Sequence, residues 1–378
     1  MKICAIIAEY NPFHKGHLYH IENVKKFADA IVIILGGHTT QRGEFSIFNK
    51  WTKAKMALLC GANLVLEIPT IFSSSSAERF SHAAIKIIKE MGIVDTISFG
   101  SEIGDIEKLE EMAGICVNIE KTEKMKEYLK KGYNYPKARE LSIGKKGEIL
   151  QFPNNLLAVE YIKASLILNC NFSFHTIKRI GADHNKNPLQ KTASSLYIRN
   201  NIKNIEIIKK YIPQKILKLY SDPIIIPKNF IFNTLRQNTK KDFEMLLDTT
   251  EGLYNRLFFA SKKARSYDEF LTLSKTKRYT LTRIKRIAIH SFFKIDKNLI
   301  PNLPEYSYVL GFDSIGRKIL HKISKNKNFL FTTNFKKIYH NFPYSAKIDS
   351  SATDFLLLFE KEPKPCFMNF KFKPIIKN

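Results

Sequence analysis

The chain has 378 residues, 44% hydrophobic and 25% charged. That is a globular composition, long enough for two or three domains and too apolar for wholesale disorder. Lys and Arg total 61 against 35 Asp and Glu, a net charge of +26, an excess beyond what solubility needs that suggests a polyanionic partner. No apolar run is long enough to span a membrane, and the one after Lys2 stops at Glu9, too short for a signal-peptide core.

In chain order, Lys2–Tyr10 (KICAIIAEY) reads as a buried strand and His17–Ala28 as a helix. Ala30–Gly37 is a second buried strand, Lys50–Cys60 a helix ended by Gly61, and Leu64–Pro69 a third strand. Ala77–Met91 is a helix and Thr96–Gly100 a fourth strand. This alternation predicts an α/β fold, a Rossmann-like doubly wound parallel sheet that binds ligands at the carboxyl ends of its strands. Residues 103–150 read as a charged helical insertion, Asn154–Leu168 as a helix, Phe172–Ile180 as a further strand, and a helix starts near Ser194–Ser195. Helical patterns dominate after residue 200, with Tyr279–Phe293 as one clear amphipathic helix. The expected organisation is a catalytic domain over 1–200 and a basic, mainly helical region over 201–378.

Charge follows the same division. Residues 1–200 carry 27 basic and 20 acidic residues, whereas residues 201–378 carry 34 and 15. The second half is expected to hold a phosphate backbone. Its densest cluster includes Lys277, Arg278, Arg283 and Arg286, the candidate RNA contacts. Cys4, Cys60, Cys116, Cys170 and Cys366 form no Cys-x-x-Cys pair. Such a dispersed set predicts reduced, mostly buried thiols in a cytoplasm.

The segment Glu9–His20 (EYNPFHKGHLYH) lies between the first strand and the first helix, where a doubly wound sheet binds phosphate. Within it, His14-Lys15-Gly16-His17 places two imidazoles near a helix N-terminus beside a residue with no side chain. They can donate to phosphate oxygens and stabilise charge as pyrophosphate leaves. Lys15 is also within reach of phosphates. Histidines three apart suit a metal as well, but no carboxylate follows in the HExxH manner, so no metal site is predicted. Later, Ser194, Ser195 and Arg199 place hydroxyls, free N–H groups and one cation at a helix start, an arrangement that suits a leaving pyrophosphate.

Strand, Asn-Pro-Phe-His-x-Gly-His, helix resembles the nucleotidyltransferase superfamily, whose members transfer adenylate from ATP. Further segments resemble one of its families, the bacterial tRNA(Met) cytidine acetate ligases. These are Thr40–Glu44 (TQRGE), Lys50–Ala54 (KWTKA), Gly61–Pro69, Ser76–Ser81, Phe99–Glu102 and Pro153–Leu157 (PNNLL). Lys178–Ala182 (KRIGA) belongs with them and, more weakly, so do Tyr279–Phe293 and Val309–Phe312. The resemblance implies that ATP and acetate form acetyl-adenylate, whose acetyl group passes to N4 of the wobble cytidine of elongator tRNA(Met). It places ATP along Ile7, Ala8, Glu9, Tyr10, Asn11, Pro12, Phe13, His14, Lys15, Gly16, His17, Leu18, Tyr19 and His20, with Gly100, Asn154 (or Asn155) and Arg179; His14 and His17 are the catalytic pair. Gln41 and Arg42 would line the active-site mouth or touch the anticodon loop. Mg²⁺ commonly accompanies ATP, but no carboxylate cage is evident for it, and no protein partner is expected. The family usually continues Arg-Ile-Gly with a Tyr-His-Asp-like tract, and here Gly181–Asn187 (GADHNKN) lacks the tyrosine. Two other readings stay open. One is an adenylyltransferase or synthetase of a small cofactor precursor, which leaves the basic half idle. The other is a non-catalytic RNA-binding protein, which leaves the His-x-Gly-His element idle.

Overall fold

A computed structural model describes residues 1–179, 192–250 and 252–377; the altered tract after Arg179 lies outside them. The strands are β1 (Ile3–Ala8), β2 (Ala30–Gly36), β3 (Leu64–Ile68), β4 (Thr96–Ser101), β5 (Ser173–Lys178), β6 (Tyr306–Phe312), β7 (Leu330–Thr332) and β8 (Ile375–Ile376). They form one sheet in the order β5-β4-β1-β2-β3-β6-β7, with β8 also on β6. β1 to β5 are parallel, and β6 runs antiparallel to β3.

The core strands form because apolar, β-branched runs such as Ile31-Val32-Ile33-Ile34 suit a pleated ribbon covered on both faces. Every residue of β2 and β3 is buried. Polar caps set the helices between them. Asn49 accepts from Thr52 N at the start of Lys50–Leu59, and Ser76 does the same for Ala77–Met91, which ends at Gly92 in the left-handed region. On one face, Lys15–Val24, Lys50–Leu59 and Phe335–Asn341 share an apolar cluster containing Ile21, Ala54 and Ile338. On the other, Ala77–Met91 and Pro153–Ile167 pack through Ile85, Ile88 and Val159. The chain leaves β1 toward β2 and β3 but reaches β4 and β5 on the opposite side. A crevice therefore opens between the carboxyl ends of β1 and β4.

The strands and helices expected before residue 200 are present, each end within a few residues. The expected division at residue 200 follows charge rather than packing. A small helical body, Lys228–Gln237, Leu253–Lys263, Tyr267–Ser274 and the start of Leu281–Phe293, has its own core around Phe232, Leu257, Phe270 and Ile284. Beyond it the chain returns to the sheet: Tyr306–Phe312 (YSYVLGF) is wholly buried against β3. In sequence that strand lies among lysine-rich helical patterns, and only pairing with β3 shows it to be part of the first core.

Candidate active site at the first crossover

The turn after β1 carries strain in a useful place. Tyr10 has φ 45°, in the left-handed region. A bulky residue holds that conformation only where its surroundings enforce it. Here the Tyr10 ring is buried, edge-on to Phe13 and His17. Arg199 Nη1 donates to Asn11 O (2.6 Å), and the Tyr220 hydroxyl donates to Phe13 O.

His14 is the N-cap of helix Lys15–Val24. Its Nδ1 accepts from Gly16 N (3.1 Å), while its own backbone N donates to His17 Nδ1 (3.1 Å). The rings stack with centroids 3.8 Å apart. Both Nδ1 atoms are thus occupied as acceptors, so each neutral ring carries its proton on Nε2. Burial, helped by the nearby Arg179 guanidinium, pulls His14 down to about 3. Burial also holds His17 well below the usual imidazole value, with His14 and Arg179 adding to the effect. Two neutral Nε2–H donors, fixed before any ligand arrives, result. The bare Cα of Gly16 serves this arrangement first: a Cβ there would lie 2.9 Å from His14 Cε1.

The crevice is a cavity of about 470 Å³. Of the residues expected to contact ATP, it is lined by Ile7 to Asn11, His14 to His17, Tyr19, His20, Gly100, Asn154 and Arg179, with Ser194, Ser195 and Arg199. Pro12, Phe13 and Leu18 are not among its lining residues; Phe13 is fully buried beneath the turn. Gly100 stands one residue before the end of β4, where a Cβ would meet Arg179 Cγ at 3.4 Å. Asn154 and Asn155 separate cleanly. Asn155 is buried, and its Oδ1 accepts from Glu102 N (2.9 Å) and Ile103 N (3.1 Å). Asn154 lines the cavity, its Nδ2 donating to Glu102 Oε1 (2.6 Å) and its Oδ1 facing Arg179 Nη1 at 3.5 Å. Arg199 commits its guanidinium to Asn11 O and, at 3.1 Å, to Glu44, so it braces the turn as well as lining the cavity.

Three contributors escaped the sequence reading. Glu102 clasps the start of helix Pro153–Ile167, accepting from the backbone N of Asn154 (3.2 Å) and Asn155 (2.8 Å). Glu44 joins Arg199 to Lys285 (2.9 Å). Lys53 is fully buried and donates to the carbonyls of Glu9 (2.9 Å), Gly36 (2.7 Å) and Gly37 (2.6 Å), tying together the ends of β1 and β2. Burial pulls this amine down to about 7, yet three carbonyl acceptors need the three N–H groups of the ammonium. All three were visible only as members of Phe99–Glu102, Thr40–Glu44 and Lys50–Ala54, with no role assigned to any of them.

Of the four candidate RNA contacts the fold buries one, Arg286, whereas Lys277 is exposed and Arg278 and Arg283 are partly exposed. Arg286 is buried and faces Asp248 (3.5 Å) and Gln41 O (3.5 Å). Arg283 donates to Asp248 O (2.8 Å) and Thr250 Oγ1 (2.9 Å). Lys277 lies 3.6 Å from the centroid of the Tyr133 ring, and Arg278 reaches Leu129 O (3.4 Å). Helix Leu281–Phe293 also supports the Gln41-Arg42-Gly43 turn: Gly43 has φ 73°, and a Cβ there would strike Arg286 N at 2.4 Å. These cations join the helical body to the insertion and to the cavity rim. Among the described residues no group of three or more His, Cys, Asp or Glu side chains is placed to hold a metal ion, and no helix is long and apolar enough to cross a membrane.

Residues 1–368 match the family described as HIGH Nucleotidyl Transferase. A tRNA(Met) cytidine acetate ligase of Thermoanaerobacter sp. (strain X514) is 36% identical over the full length of both chains. One from Caldicellulosiruptor bescii is 40% identical over 88% of each. The crystal structure of Thermotoga maritima TmcAL bound with alpha-thio ATP is similar with a TM-score of 0.91 at 30% identity, covering 100% of this chain and 99% of that one. The apo form of that protein gives 0.92 at 29%.

Proposed function

Since this chain belongs to the HIGH Nucleotidyl Transferase family and, within it, to the tRNA(Met) cytidine acetate ligases, we propose that it activates acetate with ATP and acetylates the wobble cytidine of elongator tRNA(Met). In the first step an acetate oxygen attacks the α-phosphorus, the bond to pyrophosphate breaks, and acetyl-adenylate forms. In the second the N4 amine attacks the acetyl carbonyl, AMP leaves, and the amine gives up a proton. No protein nucleophile is needed, because acetate is already an anion. The protein's work is positioning and charge stabilisation.

The observation that carries this reading is the stacked imidazole pair lining the cavity at the first crossover, each ring with its Nδ1 tied to backbone and its Nε2 left to donate. Nε2–H of His14 and His17 would meet phosphate oxygens as negative charge builds at the leaving group. Gly100 would let adenine or ribose lie against bare backbone, Asn154 would contact the nucleotide, and Arg179 would neutralise phosphate. Ser194 and Ser195 would face the departing pyrophosphate. The +19 balance of residues 201–378 suits an RNA substrate and leaves a small-acceptor adenylyltransferase less favoured.

The test is incubation with ATP, labelled acetate and either tRNA(Met) or small acid and nucleotide acceptors. Label in tRNA, with acetate-dependent ATP–pyrophosphate exchange in the absence of RNA, is expected. Both should fall below detection when His14 and His17 are replaced together by alanine. Adenylate on a small acceptor, or RNA binding with no exchange, would overturn the reading.

A further inference from the structure

Far from the cavity, three aromatic rings face solvent together. Phe367 is 63% exposed, Tyr339 42% and Phe370 39%. Ring centroids are 6.2 Å apart for Phe367–Phe370 and 5.5 Å for Tyr339–Phe370. An exposed aromatic is ordinary when it stands alone; a cluster of three is an apolar patch that calls for an explanation.

Backbone strain singles out the most exposed ring. Phe367 has φ 66°, a conformation that a non-glycine residue adopts at a cost. Its backbone N donates to Asp354 Oδ1 (2.8 Å), which pins it there. Burial of the ring does not compensate for the strain, because the ring is mostly in water. Glycine would satisfy the backbone at lower cost, so the fold itself gains little from a phenyl group at this position.

Apart from Asp354, whose carboxylate is taken up by the Phe367 backbone, the charge around the rings is positive. Lys336, Lys337, His340, Lys371 and Lys373 are exposed beside the rings, and neither 334–344 nor 363–377 contains an acidic residue. Unlike the cations of helix Leu281–Phe293, none of these lysines enters an ion pair with a described residue. A second copy of this chain would bring like charge to the patch. A phosphate backbone brings opposite charge, and unpaired bases offer faces on which aromatic rings stack.

Helix Phe335–Asn341 shares its apolar cluster with Lys15–Val24, the helix that carries the histidine pair, so the patch lies on the same face of the sheet. Four strand steps separate β1 from β7, roughly 20 Å at ~4.8 Å per step, a distance well inside one tRNA arm. We propose that Tyr339, Phe367 and Phe370, with Lys336, Lys337, Lys371 and Lys373, form a second docking surface that grips the RNA substrate away from the reacting base. This rests on the tRNA reading above and deepens it.

The test is a Tyr339→Ala/Phe367→Gly variant. Both side chains are exposed and glycine suits φ 66°, so folding is expected to be preserved. The KM for tRNA(Met) should rise at least about fivefold, as loss of a stacked base predicts, while acetate-dependent exchange without RNA stays at the parent rate. A Lys337→Glu/Lys371→Glu variant should weaken tRNA binding and flatten its salt dependence. An unchanged KM in both variants overturns the proposal. So does a change in sedimentation without a change in KM, which would make the patch an interface between copies. Direct binding of tRNA to parent and variant, measured without ATP, keeps this result separate from any failure of the acetylation reading.

Discussion

The histidine turn and helix Leu281–Phe293 looked equally informative in sequence, and the structure uses them in opposite ways. The turn holds polar groups ready for a ligand: His14 and His17 have their inner nitrogens tied to backbone and their outer ones left for the cavity. The helix carries as much chemistry per turn, yet Arg283, Lys285 and Arg286 face Asp248, Thr250 and Glu44. The lesson concerns what each signal measures. A motif with a glycine at fixed spacing encodes a local geometry that the chain must reproduce. A run of cations encodes only charge, and whether that charge faces solvent depends on acids far away in sequence.

The sharpest way to break the comparison is His14→Asn. Asparagine keeps a side-chain oxygen to cap the helix but has no donor where Nε2–H points. Exchange should fall about 10²–10³-fold, as when one preorganised donor to a developing charge is removed, with the unfolding midpoint nearly unchanged. An equal loss of activity and stability would mean that His14 is a cap and nothing more.

The helix gives the opposite expectation. Arg286→Glu places a carboxylate beside Asp248 in a largely buried site and should cost roughly 3 kcal/mol of stability. The variant's folded fraction should still show the parent's salt dependence of tRNA binding. A flatter slope of log Kd against log salt would restore this residue as a phosphate contact.

What could be read early follows the same logic. β2 was legible because AIVIILG is apolar at every position, as a strand covered on both faces must be. The histidine turn was legible because strand, His-x-Gly-His and helix are contiguous. Choosing Asn154 over Asn155 needed the position of Glu102 across the loop. In sequence Gly16 stood only as a residue with no side chain beside the histidines, and the structure gives the local reason: the nearest atoms to its missing Cβ belong to His14. β6 was missed because a strand pairing with β3 across more than two hundred residues leaves no trace in periodicity.

Acidification should produce the smallest effect, and it also separates the two regions. Burial lowers His14 to about 3 in the folded chain, whereas an unfolded imidazole titrates near 6.5. Between these values the unfolded chain binds a proton that the folded chain does not. The stabilising contribution is therefore complete above about pH 6.5 and is lost as the pH falls toward 3. For one such histidine the loss is about 2 kcal/mol by pH 5. Urea unfolding at pH 7, 6 and 5 should accordingly show a shallower loss of stability in His14→Asn than in the parent chain, by about that amount at the lowest pH. The Arg286→Glu variant instead adds a buried carboxyl beside Asp248, whose pKa burial and like charge raise, so its deficit relative to the parent should shrink rather than grow as the pH falls. Parallel curves for parent and His14→Asn would mean that the ring is already protonated in the folded protein, and the neutral Nε2–H donor at the cavity would have to be abandoned.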